Sequence, residues 1–171
     1  MTYLGTQNMM LKSKIKRILP YLAVIFGPVL LFSTVLALVR VSGSSMEPGM
    51  HDGDRLICLR HPQVEAGDVI VFRNVLDPEN HVLVKRVAGV ASDEIRVADG
   101  KLYRNGSLVL EPHADMSNGC GPDFGPVVVP GGHVFVLGDN RGASLDSRME
   151  RVGFVDCSQI IGRVVFRLGE V

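Results

Sequence analysis

His81-Val82-Leu83-Val84-Lys85-Arg86-Val87-Ala88-Gly89-Val90 is a β-branched, apolar run with no helical period. Such a run predicts a strand. Side chains on a strand alternate between faces, so Lys85 shares its face with Leu83 and Val87, and Arg86 shares the other with Val84 and Ala88. At least one strong cation is thereby forced onto an apolar face. It is either an edge-strand lysine that snorkels to water and guards against aggregation, or a desolvated amine whose pKa falls far enough to make it a base.

Outward from this run, short β-rich segments recur between turn residues, at 55–60, 68–73, 94–98, 101–104, 108–110, 133–137 and 160–168. Asp99-Gly100 and Asn105-Gly106 are tight-hairpin dipeptides and predict a three-stranded meander across 94–110. The Gly/Pro-rich stretch 118–126 and Pro130-Gly131-Gly132 predict longer loops. No long helical stripe follows Arg40, and about 130 residues bury an adequate core. The expected fold is mainly β, an antiparallel β-rich domain over 40–171 behind one N-terminal transmembrane helix.

That helix is expected at 18–39, where 22 successive residues carry no charge. About 20 residues span the hydrocarbon core, and Gly27-Pro28 predicts a kink of the kind membrane helices tolerate. A soluble core helix of this length is rarely apolar on every face. A cleaved signal peptide has a shorter apolar region, and Ala37-Leu38-Val39 is a poor cleavage sequence. Lys12, Lys14, Lys16 and Arg17 precede the span and only Arg40 closely follows it, so residues 1–17 are expected in the cytoplasm and 40–171 outside the plasma (inner) membrane.

The 171 residues hold 18 basic and 18 acidic groups. Five basic groups lie before Glu47, the first acid, so residues 47–171 keep 13 basic against 18 acidic groups, a net of −5. Such a body is a poor nucleic-acid partner. Cys58, Cys120 and Cys157 form no CxxC, which removes support for a zinc knuckle or a thioredoxin-like site. One disulfide in an oxidising compartment and three free thiols both remain open.

Two further stretches carry polar chemistry. Ser42-Gly43-Ser44-Ser45-Met46-Glu47-Pro48-Gly49-Met50 reads as a turn, in which serines usually bond the local backbone. A serine becomes a nucleophile only beside a base. His51, His61, His81, His113 and His133 are scattered, with no triad signature and no HExxH pair, which leaves lysine as the other candidate. Gly138-Asp139-Asn140-Arg141-Gly142-Ala143-Ser144-Leu145-Asp146-Ser147-Arg148 follows an apolar strand. It is either a solvated loop or an ion-paired scaffold.

Together, in this order behind an anchor, these stretches resemble bacterial type I signal peptidase (leader peptidase), over nearly the whole chain from the apolar span onward. Ser45-Met46-Glu47-Pro48 is similar to the family's nucleophile box, and Asp68-Val69-Ile70-Val71-Phe72 to its first strand. Lys85-Arg86-Val87 with Gly89 and Asp93 is similar to the lysine box, and 135–148 to the last box. The resemblance implies that Ser45 attacks the scissile carbonyl, Lys85 is the general base and Ser144 orients the lysine amine by a hydrogen bond. It also implies that Asp146 and Arg148 form a structural ion pair, that Met46 lines the substrate cleft and that the Ser45 N–H serves the oxyanion. A second donor, a hydroxyl two positions before the nucleophile in some members, meets Gly43 here. Gly49, Ser92, the longer spacing from Arg148 to Gly153 and the missing inserted domain are further departures.

The implied substrates are preprotein signal peptides with small residues at −1 and −3, cut at the bilayer surface by a monomer that needs no cofactor or metal. Two alternatives stand beside this one. One is a specialised Ser–Lys peptidase acting on a conjugative-pilus or similar exported component. The other is an inactive tethered β-domain that only binds exported chains. A self-cleaving repressor is disfavoured, because it would carry a DNA-binding segment instead of an anchor.

Overall fold

The computed structural model describes residues 20–21, 24, 26–27, 34–60 and 62–169. They fall into two units, divided between Val35 and Leu36. In the first, Pro20, Tyr21, Val24, Phe26, Gly27, Thr34 and Val35 are helical. Half of the expected anchor, 11 of its 22 residues, lies outside the described residues. Among the described residues, no helix is long and apolar enough to cross a membrane.

Apart from one 3-10 turn at Cys157–Gln159, the described regular structure of the second unit is antiparallel strands. These are β1 (Leu36–Arg40), β2 (Arg55–Leu59), β3 (Val69–Arg73), β4 (Val82–Val90), β5 (Glu94–Ala98), β6 (Lys101–Arg104), β7 (Ser107–Leu108), β8 (Phe124–Val128), β9 (His133–Leu137), β10 (Val155–Asp156) and β11 (Ile160–Leu168). A seven-stranded sheet has the order β1-β2-β11-β3-β4-β9-β10, and a four-stranded sheet the order β7-β6-β5-β8.

Residues 36–39, expected as the end of the membrane segment, lie instead in β1. They pair residue for residue with β2, from Leu36 opposite Leu59 to Arg40 opposite Arg55. An uncharged run reads the same whether its end is helix or buried strand. Here Ala37 enters the core beside Leu56 and Cys58. The other surprise is β8, where the Gly/Pro-rich composition predicts loop. β8 is an edge of the small sheet, the place where a sheet accepts proline.

Strand β3 explains why its sequence is apolar without alternation. Val69 and Val71 enter one core cluster with Met46, Leu56 and Val84, while Ile70 and Phe72 enter another with Val87, Val134 and Val136. Strand β9 behaves likewise: Val134 and Val136 point into the second cluster, and Phe135 and Leu137 into a third shared with Ile95, Val97 and Leu102 of the meander. Strand β4 lies between these two doubly buried strands, so Lys85 is not on a sheet edge.

Candidate active site

Three segments meet at Lys85. Its strand holds it in register with Ile70 of β3, and the side chain is only 2% exposed. The amine Nζ donates to Ser45 Oγ at 2.6 Å and to the Val84 carbonyl at 2.9 Å. Burial pushes the amine down from an ordinary 10.5 to about 8, against the opposing pull of the Asp146 and Asp139 carboxylates. An ammonium stripped of water favours losing its proton. Of the two readings of Lys85, the desolvated amine is the one the fold adopts.

Ser45 sits on a turn anchored from below. Met46 and Met50 are buried in the core cluster of β2 and β3. Met50 N–H donates to the Met46 carbonyl, and Glu47 N–H to that of Ser44. The loop closes where Val41 N–H donates to Asp54 O and Gly53 N–H to Val41 O. Gly43 has φ +88°, which favours glycine. Its N–H donates to Asp52 Oδ1 at 2.8 Å, and a Cβ there would meet open space. No hydroxyl is supplied from that position.

Ser45, Met46 and Lys85 line a groove of about 310 Å³. Its other walls include Leu38 and Val39 of β1, Val82, Leu83 and Val84 of β4, Ile161 of β11, and Ser42. Among the expected cleft residues Met46 is in the wall, while Gly43 lies outside it. The aliphatic wall residues went unnoticed in the sequence because nothing separates a wall valine from a core valine before the sheet order is known.

The polar stretch after β9 is scaffold rather than loose loop. Arg148 Nε donates to Asp146 Oδ1 at 2.8 Å and Nη2 to Oδ2 at 2.9 Å, with both side chains fully buried. The same guanidinium caps the Cys120 and Arg141 carbonyls, and Gly138 N–H donates to Asp146 Oδ2. Arg141, also buried, pairs with Glu111 at 2.7 Å and donates to the carbonyls of Gly138 and Gly100. Arg86 makes a fork with Asp139, 2.9 and 2.8 Å. Asn140 donates from its backbone N–H to the Ser45 carbonyl at 3.1 Å and from Nδ2 to the Ser44 carbonyl at 3.3 Å. These partners of Glu111, Asp139 and Asn140 were not assigned from sequence, where only the crowding of charges after an apolar strand hinted at them.

Ser144 is buried near the Ser45 turn, but its hydroxyl has no hydrogen-bond partner. The lysine-orienting bond expected of it is absent here, where the amine's two bonds go to Ser45 and Val84. Three of the four described histidines have side chains beside acids: His81 at Asp77 and Glu79, His113 at Glu111 and Asp139, and His133 at Asp156. All three cysteines are free thiols, with Cys58 buried and Cys157 exposed. Among the described residues no group of His, Cys, Asp and Glu is arranged to hold a metal.

A serine hydroxyl touching a buried amine of lowered pKa is an arrangement in which the hydroxyl can act as nucleophile and the amine as base. The chain as a whole is similar to known proteins. The profile of the family described as signal peptidase, peptidase S26, matches residues 11–169. The chain is 36% identical to a signal peptidase I of Bacillus licheniformis, over 74% of this chain and 73% of that protein. It is 35% identical to signal peptidase IB of Staphylococcus aureus (strain N315), over 74% of each. The crystal structure of a signal peptidase I from Enterococcus faecalis superposes with a TM-score of 0.50 at 29% identity, covering 61% of this chain and 98% of that one.

Proposed function

Because this chain belongs to the signal peptidase family, peptidase S26, and is a serine peptidase of it, we propose that it removes N-terminal signal peptides from exported preproteins with Ser45 as nucleophile and Lys85 as general base. The observation that carries this reading is the 2.6 Å contact between Lys85 Nζ and Ser45 Oγ on a buried amine.

The neutral amine takes the Ser45 proton as Oγ bonds to the scissile carbonyl carbon. The backbone N–H of Ser45 stabilises the resulting oxyanion. The ammonium then returns its proton to the departing amine, which leaves an acyl-enzyme. Lys85, neutral again, deprotonates water as its oxygen attacks the ester, and the ammonium returns that proton to Oγ as the acyl C–Oγ bond breaks. A lysine ammonium has three N–H groups. Ser45 Oγ and the Val84 carbonyl accept two of them, and the unpartnered Ser144 hydroxyl is the acceptor proposed for the third. Asp146 and Arg148 hold the loop that carries Ser144.

The groove walls of Leu38, Val39, Val82, Leu83, Val84 and Ile161 suit an extended substrate segment laid beside β4, with small side chains at −1 and −3 in shallow apolar pockets. The apolar run before β1 serves as the anchor in this reading, N-terminus in the cytoplasm and catalytic unit outside. The tether raises the effective concentration of cleavage sites emerging at the bilayer. Monomeric action without cofactor or metal belongs to the same proposal. A specialised peptidase for one exported substrate shares this chemistry.

The test is cleavage of an Ala-x-Ala preprotein by the detergent-solubilised full chain. Wild type cleaves at the Ala-x-Ala site, and Ser45→Ala and Lys85→Met do not, although both stay folded. Robust turnover by Lys85→Met would refute the dyad.

A further inference from the structure

Asn140 is fully buried, yet both of its donors reach across to the nucleophile turn and hold two successive carbonyls, those of Ser44 and Ser45. The Ser44 carbonyl receives a second bond from Glu47 N–H, so its direction is fixed from two sides. Asn140 is itself held. Its Oδ1 accepts from Asn118 Nδ2 at 3.4 Å, and its backbone bridges to Asp115, whose N–H and carbonyl bond Asp139 and Arg141.

The Ser44–Ser45 peptide is trans, since the cis bonds lie at Glu47–Pro48 and Gly125–Pro126. In a planar trans peptide the carbonyl and the following N–H point in opposite directions. Pinning the Ser44 carbonyl toward Asn140 therefore aims the Ser45 N–H away from it. A bond accepted by the carbonyl also polarises the amide and makes its N–H a better donor. With Gly43 supplying no hydroxyl, this one N–H carries more of the oxyanion's charge.

We propose that Asn140 is a positioning residue that aims and polarises the Ser45 N–H for the tetrahedral intermediate. The inference rests on the reading of Ser45 as nucleophile. It assigns Asn140 no contact with the substrate, so its contribution belongs to turnover and not to ground-state binding. A lost or misdirected oxyanion donor costs on the order of 10²-fold in rate.

The test uses Asn140→Ser, which drops the amide donor without adding charge, and the isosteric Asn140→Asp, which turns an acceptor toward the Ser44 carbonyl. Both are measured as full chains in detergent on an Ala-x-Ala preprotein. The expected result is a kcat lowered about 10- to 100-fold with KM within about twofold of wild type. A peptide aldehyde ending in Ala-x-Ala, which forms a tetrahedral adduct on Ser45, should lose affinity by a similar factor. The matching peptide alcohol, which cannot form that adduct, should bind as before. If wild type fails to cleave, or Ser45→Ala cleaves as well as wild type, the nucleophile assignment itself is wrong. If cleavage depends on Ser45, three results overturn the role of Asn140 alone: both variants turn over like wild type, aldehyde and alcohol weaken equally, or neither variant folds.

Discussion

Gly138 and Ser144 are packed so closely that a Cβ on Gly138 would meet the Ser144 hydroxyl and its Cβ, with the Ser45 carbonyl beside them. Three parts of the site converge on that missing side chain. Gly138 has no positive φ, so its requirement is space and not backbone freedom.

Gly138→Ala should therefore lower cleavage by about 100-fold or more, because a displacement near 1 Å at reacting groups costs that much. Overpacking itself costs about 1–3 kcal/mol, so the variant should stay folded. Preprotein cleavage read beside thermal unfolding checks both halves. Near-wild-type turnover would show that the loop yields without moving Ser45 or Ser144.

Asp146→Asn should destabilise the catalytic unit by about 3–5 kcal/mol, because it leaves the Arg148 guanidinium buried without its counter-charge. Both side chains are fully buried and joined by two bonds, so solvent screening offers little relief. Chemical denaturation of wild type and variant measures it. A change under about 1 kcal/mol would mean that the Cys120 and Arg141 carbonyls alone satisfy the guanidinium.

Much of this was legible in the sequence because alternation and turn chemistry are local. Asp99-Gly100 and Asn105-Gly106 mark the meander now seen as β5, β6 and β7, and the conflict at Lys85 between cation and apolar face left a base as one of two readings. Other features were not legible. Residues 36–39 are one uncharged piece with the run before them, and only their pairing with β2 separates strand from span. Phe124-Gly125-Pro126 has loop composition but edge-strand pairing with β5. The grip of Asn140 on Ser44 and Ser45 joins residues about 95 positions apart, and no local pattern encodes that. The Ser144 hydroxyl, which the resemblance implies orients the lysine amine, has no hydrogen-bond partner.

Folding stability should carry the mark of the buried amine. Lys85 is lowered from 10.5 to about 8 by burial, so between those values the unfolded chain binds more protons than the folded one. Stability attributable to Lys85 therefore rises with pH across that window and is lowest below about pH 8. Compared with wild type, Lys85→Met should be more stable by about 3 kcal/mol below pH 8, an advantage that shrinks toward pH 10.5. Denaturation at pH 6.5, 8.5 and 10 checks the trend; a gap independent of pH would contradict it.

The rate should follow the same proton. For the free enzyme, kcat/KM is expected to climb tenfold per pH unit below about pH 8 and level off above it, as the neutral Lys85 amine becomes the major form. A flat profile between pH 6 and 9 would separate turnover from the lysine's charge.

The most direct test of the account is the titration of the Lys85 amine itself. NMR of the full chain in detergent, with isotope-labelled lysine, suits a sequence that holds only five lysines, Lys12, Lys14, Lys16, Lys85 and Lys101. The Lys85 signal is identified by its loss in Lys85→Met. The account predicts a midpoint near pH 8. A midpoint at or above the unperturbed lysine value of about 10.4 would mean that the amine beside Ser45 stays charged at working pH, and the proposed base would have no lone pair to offer.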